Sequence, residues 1–148
     1  MSKLFQALLS GVFFTYFIDF FFFLGLKQNY FDSLNIPIFY NVLFADNQNT
    51  IVFFLFTLII GFTIIYINST LFKVTLITTF FIVSASTNIS LLGYIAGEKL
   101  FMTKNRTFKN QKHTFIGDIY YKGRDGIFFY DRELEKMIVL NYNELLKD

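Results

Sequence analysis

The sequence has no cysteine and no tryptophan, and only one histidine (His113) and one proline (Pro37) in 148 residues. Without cysteine there is no disulfide, no thiolate metal site and no cysteine-linked lipid. One histidine does not build a zinc site by itself. Charged residues are scarce at 16%, and the formal net charge is only +2. No Ser–His–Asp set, phosphate-binding loop or paired carboxylates can be read along the chain, so no catalytic machinery, metal or cofactor is expected.

What the chain has in excess is apolar: 54% hydrophobic and 22% aromatic residues, with 23 Phe. Soluble domains of this length rarely have such a composition, and membrane insertion is the direct explanation. A helix crosses about 30 Å of hydrocarbon with roughly 20 apolar residues. Residues 5–26, 51–67 and 71–96 meet that requirement, the second near its lower limit. "NST" at Asn68 to Thr70 leaves room only for a tight turn, so the second and third helices form a hairpin. The first run is too long for a signal peptide and lacks a small-x-small cleavage site. The expected fold is therefore membrane α-helical, with three transmembrane helices followed by a small β segment.

Lys99, Lys104, Arg106, Lys109 and Lys112 follow the third helix, opposed only by Glu98. The excess of Lys and Arg places that end in the cytoplasm. With three crossings the N-terminus lies outside and the loop 27–50 inside. Within this loop, "NIPIFYNVLFA" (Asn35 to Ala45) is apolar but short. It reads as an interfacial helix with Tyr40 and Phe44 at headgroup level. The rival is a short fourth crossing that would bring both termini inside.

Between membrane helices, close backbone approach and hydrogen bonds drive association, because lipid is as apolar as Leu. On the first helix Ala7, Gly11, Thr15 and Asp19 recur every fourth residue and form one small or polar ridge. On the second helix Thr57 and Gly61 have the same spacing. The third contains "SASTNIS", with Ser86, Ser90, Gly93 and Gly97 near one face and Ser84 and Asn88 near the other. Counting in from the helix ends puts Asp19, Thr57 and the Ser86–Asn88–Ser90 group at one depth, about 10 Å from the cytoplasmic side. Asp19 is expected to face protein, because a charge inside the bilayer is costly. Its possible roles are a hydrogen-bonded structural carboxyl, a contact for a partner's Lys or Arg, or a proton or ion relay. Gly93 and Gly97 form GxxxG, which serves either loop packing or dimerisation.

Residues 98–113 read as a basic linker. Lys104, Arg106, Lys109 and Lys112 suit anionic headgroups, and one interleaved Phe108 does not make a nucleic-acid site. Residues 114–148 read as a three-strand antiparallel meander: "TFIGDIYY", "IFFYD" and "MIVLNY" separated by "KGRDG" and "RELEK". Asp125-Gly126 and Gly123 are expected to supply positive φ in the first turn. The competing reading makes Asp131 the N-cap of a helix. So small a sheet needs cover from the bilayer, a loop or a partner.

These features point to a non-enzymatic accessory, assembly, stabilising or anchoring subunit of a larger cytoplasmic-membrane machine. Its partners would be anionic lipid and another membrane protein or a second copy. Two other classes are an oligomeric transporter or channel using Asp19 and the polar third helix, and an immunity protein against a pore-forming toxin.

Overall fold

The computed structural model describes residues 2–109 and 114–144. The chain divides into two compact units, Met1–Tyr94 and Ile95–Asp148.

The first unit is helical. Helix α1 spans Lys3–Leu26, and the Ser2 hydroxyl at its start accepts the Phe5 N–H. It runs on without a break into a π-helical turn, Lys27–Phe31. Polar Lys27, Gln28 and Asn29 mark the end of the apolar run, and Lys27 pairs with Asp32. Asn35 then turns the chain in the left-handed region, at φ 55°. Helix α2 (Tyr40–Asn47) and helix α3 (Thr50–Tyr66) follow, bent by 86° at their junction. The Asn49 side chain caps α3 by accepting the Ile51 and Val52 N–H groups. Ser69 caps helix α4 (Thr70–Ala85) in the same way through Phe72 N–H. The chain reverses between α3 and α4 within three residues, as the tight turn requires.

Helix order is fixed by two sets of contacts. Ala7 meets Gly61 and Gly11 meets Thr57, so α1 and α3 run antiparallel. Ile18 meets Ser84 and Phe21 meets Thr87 and Asn88, so α1 and α4 run parallel. Leu26, Tyr30, Phe31, Ile36 and Leu43 form the buried core under the α1–α2 connection.

Two helical stretches are long and apolar enough to cross a membrane, Lys3–Phe31 and Thr70–Asn88. The bent pair of α2 and α3 supplies a third if it counts as one span. Helix α2 has eight residues, about 12 Å of length, too little for a crossing of its own. Tyr40 and Phe44, expected at headgroup level, have ring partners on the first helix. They pack on α1, with ring centroids 5.4 Å apart for Phe20–Tyr40 and 5.3 Å for Phe23–Phe44.

The expected third helix, 71–96, is not continuous. It breaks after Ala85 into a 3-10 turn, Ser86–Asn88, and resumes as α5, Ser90–Phe101. Ser86, Thr87 and Asn88 all bond backbone carbonyls with their side chains, which competes with helix continuation.

The second unit holds the sheet, which has four strands instead of three. Strands β1 (Thr103–Lys109), β2 (Thr114–Lys122), β3 (Ile127–Asp131) and β4 (Lys136–Leu140) form an antiparallel meander in chain order. Most of the supposed basic linker is thus the end of α5 and an edge strand. Its charges hid a strand that needs only Phe108 inside, where the ring meets Phe129 at 5.5 Å. Asn105, at φ 56°, sits in an irregularity of the β1–β2 register between Thr103 and Arg106. Alternation then works as read: Ile119, Ile127, Phe129 and Leu140 are buried together, with Phe108, Phe115 and Ile138 against them.

The β2–β3 turn closes through Gly123 N–H to the Gly126 carbonyl, 2.9 Å. Neither Asp125 nor any described glycine has positive φ, contrary to expectation. Gly126 is needed for space instead, since a Cβ there would lie 2.8 Å from the Leu140 carbonyl oxygen. Asp131 does act as a cap, accepting the Glu133 and Leu134 N–H groups. Only one turn forms before Glu135, at φ 49°, sends the chain into β4.

Candidate functional site

The ridge on α1 is real as far as Thr15. Ala7, Gly11 and Thr15 are buried, and their counterparts on α3 are Thr57 and Gly61, also buried. A Cβ on Gly11 would lie 2.0 Å from the Thr57 carbonyl oxygen, and one on Gly61 would lie 2.1 Å from that of Ala7. Backbone therefore touches backbone, which only glycine permits at these positions. The Thr15 and Thr57 hydroxyls are buried in this seam without a hydrogen-bond partner among the described residues.

The second junction joins α1 to the break after α4. Ser84 donates its hydroxyl to the Ile18 carbonyl. Thr87 donates to Phe22 O at 3.1 Å and Ser84 O at 2.8 Å. Asn88 Nδ2 donates to Phe21 O at 3.1 Å. Gly25 makes room, for a Cβ there would lie 2.2 Å from Thr87 Oγ1. Asn29 completes the join from the π turn by donating to the Thr87 carbonyl at 2.9 Å.

Asp19 does not meet this group. Its Oδ2 accepts the Gln48 Nε2–H at 2.9 Å, so the partner comes from the α2–α3 elbow. The common depth expected for Asp19 and Thr57 does not hold either. Thr57 sits beside Gly11, and Asp19 sits opposite the residues that start α3, about 12 Å further along α1 at 1.5 Å per residue. Helix α3 is offset against α1, and Gln48, in the connection just before α3, reaches the carboxylate. Four rings of α1 and α2 pack on one another in this region. Centroid separations are 5.6 Å for Tyr16–Phe44, 5.4 Å for Phe20–Tyr40 and 6.0 Å for Tyr40–Phe44. Asp19 itself stays half-buried.

The remaining positions divide. Among the described residues the Ser86 side chain bonds only Val83 O, and Ser90 is exposed. Gly93 is consumed within the chain, where a Cβ would lie 2.1 Å from the Thr87 carbonyl oxygen. Gly97 is buried in the second unit. Neither glycine presents a free GxxxG face. Lys104 pairs with Glu98 at 2.8 Å, and that hydrogen bond raises its pKa. Arg106 and Lys109 are exposed on β1. Lys112 lies outside the described residues.

Sequence reasoning missed Thr87, Asn29 and Gln48. Thr87 carries a signal, three residues after Ser84 and so on the same helix face. Gln48 carries none, because its meeting with Asp19 depends on the 86° elbow. Comparison with protein-family models, curated proteins and solved structures gave no match to this chain.

Proposed function

We propose that the chain is a multi-pass protein of the cytoplasmic (inner) membrane with its C-terminal sheet inside. It serves as a non-enzymatic accessory, assembly or anchoring subunit of a larger membrane complex. One observation carries this reading. The hydroxyl and amide groups of Ser84, Thr87 and Asn88 end on the carbonyls of α1 or of their own turn. Donors used up in this way hold helices together and do not line a path for a solute, which weighs against transport within one chain. Helices joined in this way suit a scaffold. Exposed Arg106 and Lys109 on β1 suit anionic headgroups.

The test is purification from native membranes in mild detergent followed by mass spectrometry. A stoichiometric second membrane protein is expected. Recovery of this chain alone, together with solute flux in proteoliposomes that Asp19→Asn abolishes, would replace the subunit reading by an oligomeric transporter.

A further inference from the structure

We propose that the outward face of α1 docks a transmembrane helix of a different protein, and that Asp19 receives a Lys or Arg side chain from it. This rests on the subunit reading above and names the partner's chemistry.

Helix α1 has two faces occupied within the chain. Ala7, Gly11 and Thr15 meet α3, and Ile18, Phe21 and Phe22 meet the end of α4 and the turn after it. A third stripe is open: Leu9, Val12 and Tyr16 are 58%, 44% and 53% exposed. Their spacing of three and four residues makes a straight helical ridge, and its next position is Asp19. The open apolar stripe therefore leads directly to the carboxylate.

The carboxylate is incompletely satisfied. Gln48 is its single hydrogen-bond partner among the described residues, and it engages Oδ2 only. A carboxylate offers about four lone-pair sites. Tyr40 lies near the carboxylate and packs on Phe20 and Phe44, Tyr16 stands one turn before Asp19 on α1, and ring faces attract ammonium and guanidinium groups. An acid, an amide and the adjacent Tyr40 ring form a surrounding suited to an organic cation.

A protein cation is favoured over a lipid amine by depth. Asp19 lies about 10 Å along α1 from Leu26, inside the apolar run, whereas headgroups stay at the surface. A second copy does not fit. Lys3 and Lys73 stand at the starts of the parallel helices α1 and α4, at the far end of the bundle from Asp19, and Lys27 pairs with Asp32. Among the described residues of the first unit, a copy in the same orientation has no helix cation at the level of Asp19, so the partner is another chain.

The test uses the full-length protein in nanodiscs and a synthetic poly-Leu membrane helix carrying one Lys about 10 Å from its cytoplasmic end. All-Leu and Gln-bearing helices are the comparison, with association read by energy transfer. The Lys helix is expected to bind about tenfold tighter than the all-Leu helix, the scale of one charge-assisted hydrogen bond. Asp19→Asn is expected to remove that preference while keeping the melting temperature. Val12→Trp, which crowds the open stripe away from the carboxylate, is expected to weaken all three helices. Equal binding of the Lys and all-Leu helices, or a Lys preference that survives Asp19→Asn, would overturn the proposal. So would loss of the preference on adding phosphatidylethanolamine, which would assign the site to a lipid amine. A native partner that still co-purifies with Asp19→Asn overturns this assignment and leaves the subunit reading intact. A Lys preference without any co-purifying protein does the reverse.

Discussion

Gly61 of α3 rests against the backbone of Ala7 on α1, so closely that a Cβ on the glycine would lie 2.1 Å from the Ala7 carbonyl oxygen. The mirror arrangement occurs one turn away, where Gly11 faces Thr57. Each helix gives up a side chain to admit the other's backbone, and backbone cannot swing aside as a flexible side chain can. Gly11→Ala and Gly61→Ala should each lower stability by roughly 1–3 kcal/mol, the usual range for overpacking. Asp19→Asn keeps the hydrogen-bonding shape toward Gln48 and should be milder than either. Thermal unfolding in detergent ranks the three. A double alanine variant that melts like the wild type would remove the seam from the account.

On the sheet, Arg132 reaches across to Asp118, with Nη2 at 2.8 and 3.1 Å from its two carboxylate oxygens. Partial burial pulls the Asp118 pKa up, but the Asn105 N–H at 2.7 Å and the Arg132 guanidinium outweigh this and leave it below its ordinary value of 3.8. A group depressed in the folded state contributes stability above its unfolded pKa and loses it as pH falls through the folded one. The β1–β2 junction should therefore loosen only below about pH 4. Tyrosine near-ultraviolet circular dichroism during acid titration would follow it. Asp118→Asn should remove that step, and a step that persists in the variant would assign it to another carboxyl.

Much of this fold is legible one residue at a time. The α1 ridge Ala7–Gly11–Thr15, its match Thr57–Gly61, and strands β2 to β4 all follow from periodicity, because a period of four or two is a local property. What escaped depends on the third dimension. Strand β1 carries Lys104, Arg106 and Lys109 because an edge strand keeps charge outside, and charge in sequence reads as linker. The break at Ser86–Asn88 comes from three successive side chains able to bond the backbone, a competition that hydropathy does not count. Gln48 reaches Asp19 only because α2 and α3 meet at an elbow.

The broken helix offers a finer measurement. Thr87 Oγ1 is donor to α1 at Phe22 O while Gly25 lies against it. Thr87→Val keeps the shape and deletes the hydrogen bonds. Such bonds in membranes average only about 0.6 kcal/mol, so its loss should be small. Gly25→Leu must push the 3-10 turn off α1 and should do far more damage. If Thr87→Val proved the worse of the two, hydrogen bonding would outrank packing at this junction.

The last prediction fixes the number of crossings. Parallel α1 and α4, with α3 antiparallel between them in the chain, put Ser2 and the turn before Ser69 at one end of the bundle. A chain in which α2 also crossed would need α1 and α4 to run in opposite directions, and Ser2 would then lie on the opposite side from Asn68. Cysteine is absent from the sequence, so single cysteines report without background. Asn68→Cys, in the exposed turn, should react with an impermeant thiol reagent from outside. Asn141→Cys, beyond β4, should react only after the membrane is opened if that end has the cytoplasmic location proposed from the Lys and Arg after α4. Ser2→Cys decides between the models, and labelling together with Asn68→Cys is expected. The cost of losing the Ser2 cap is about 1 kcal/mol and does not change sidedness. Labelling of Ser2→Cys together with Asn141→Cys would restore the fourth crossing and overturn the orientation assigned to α1.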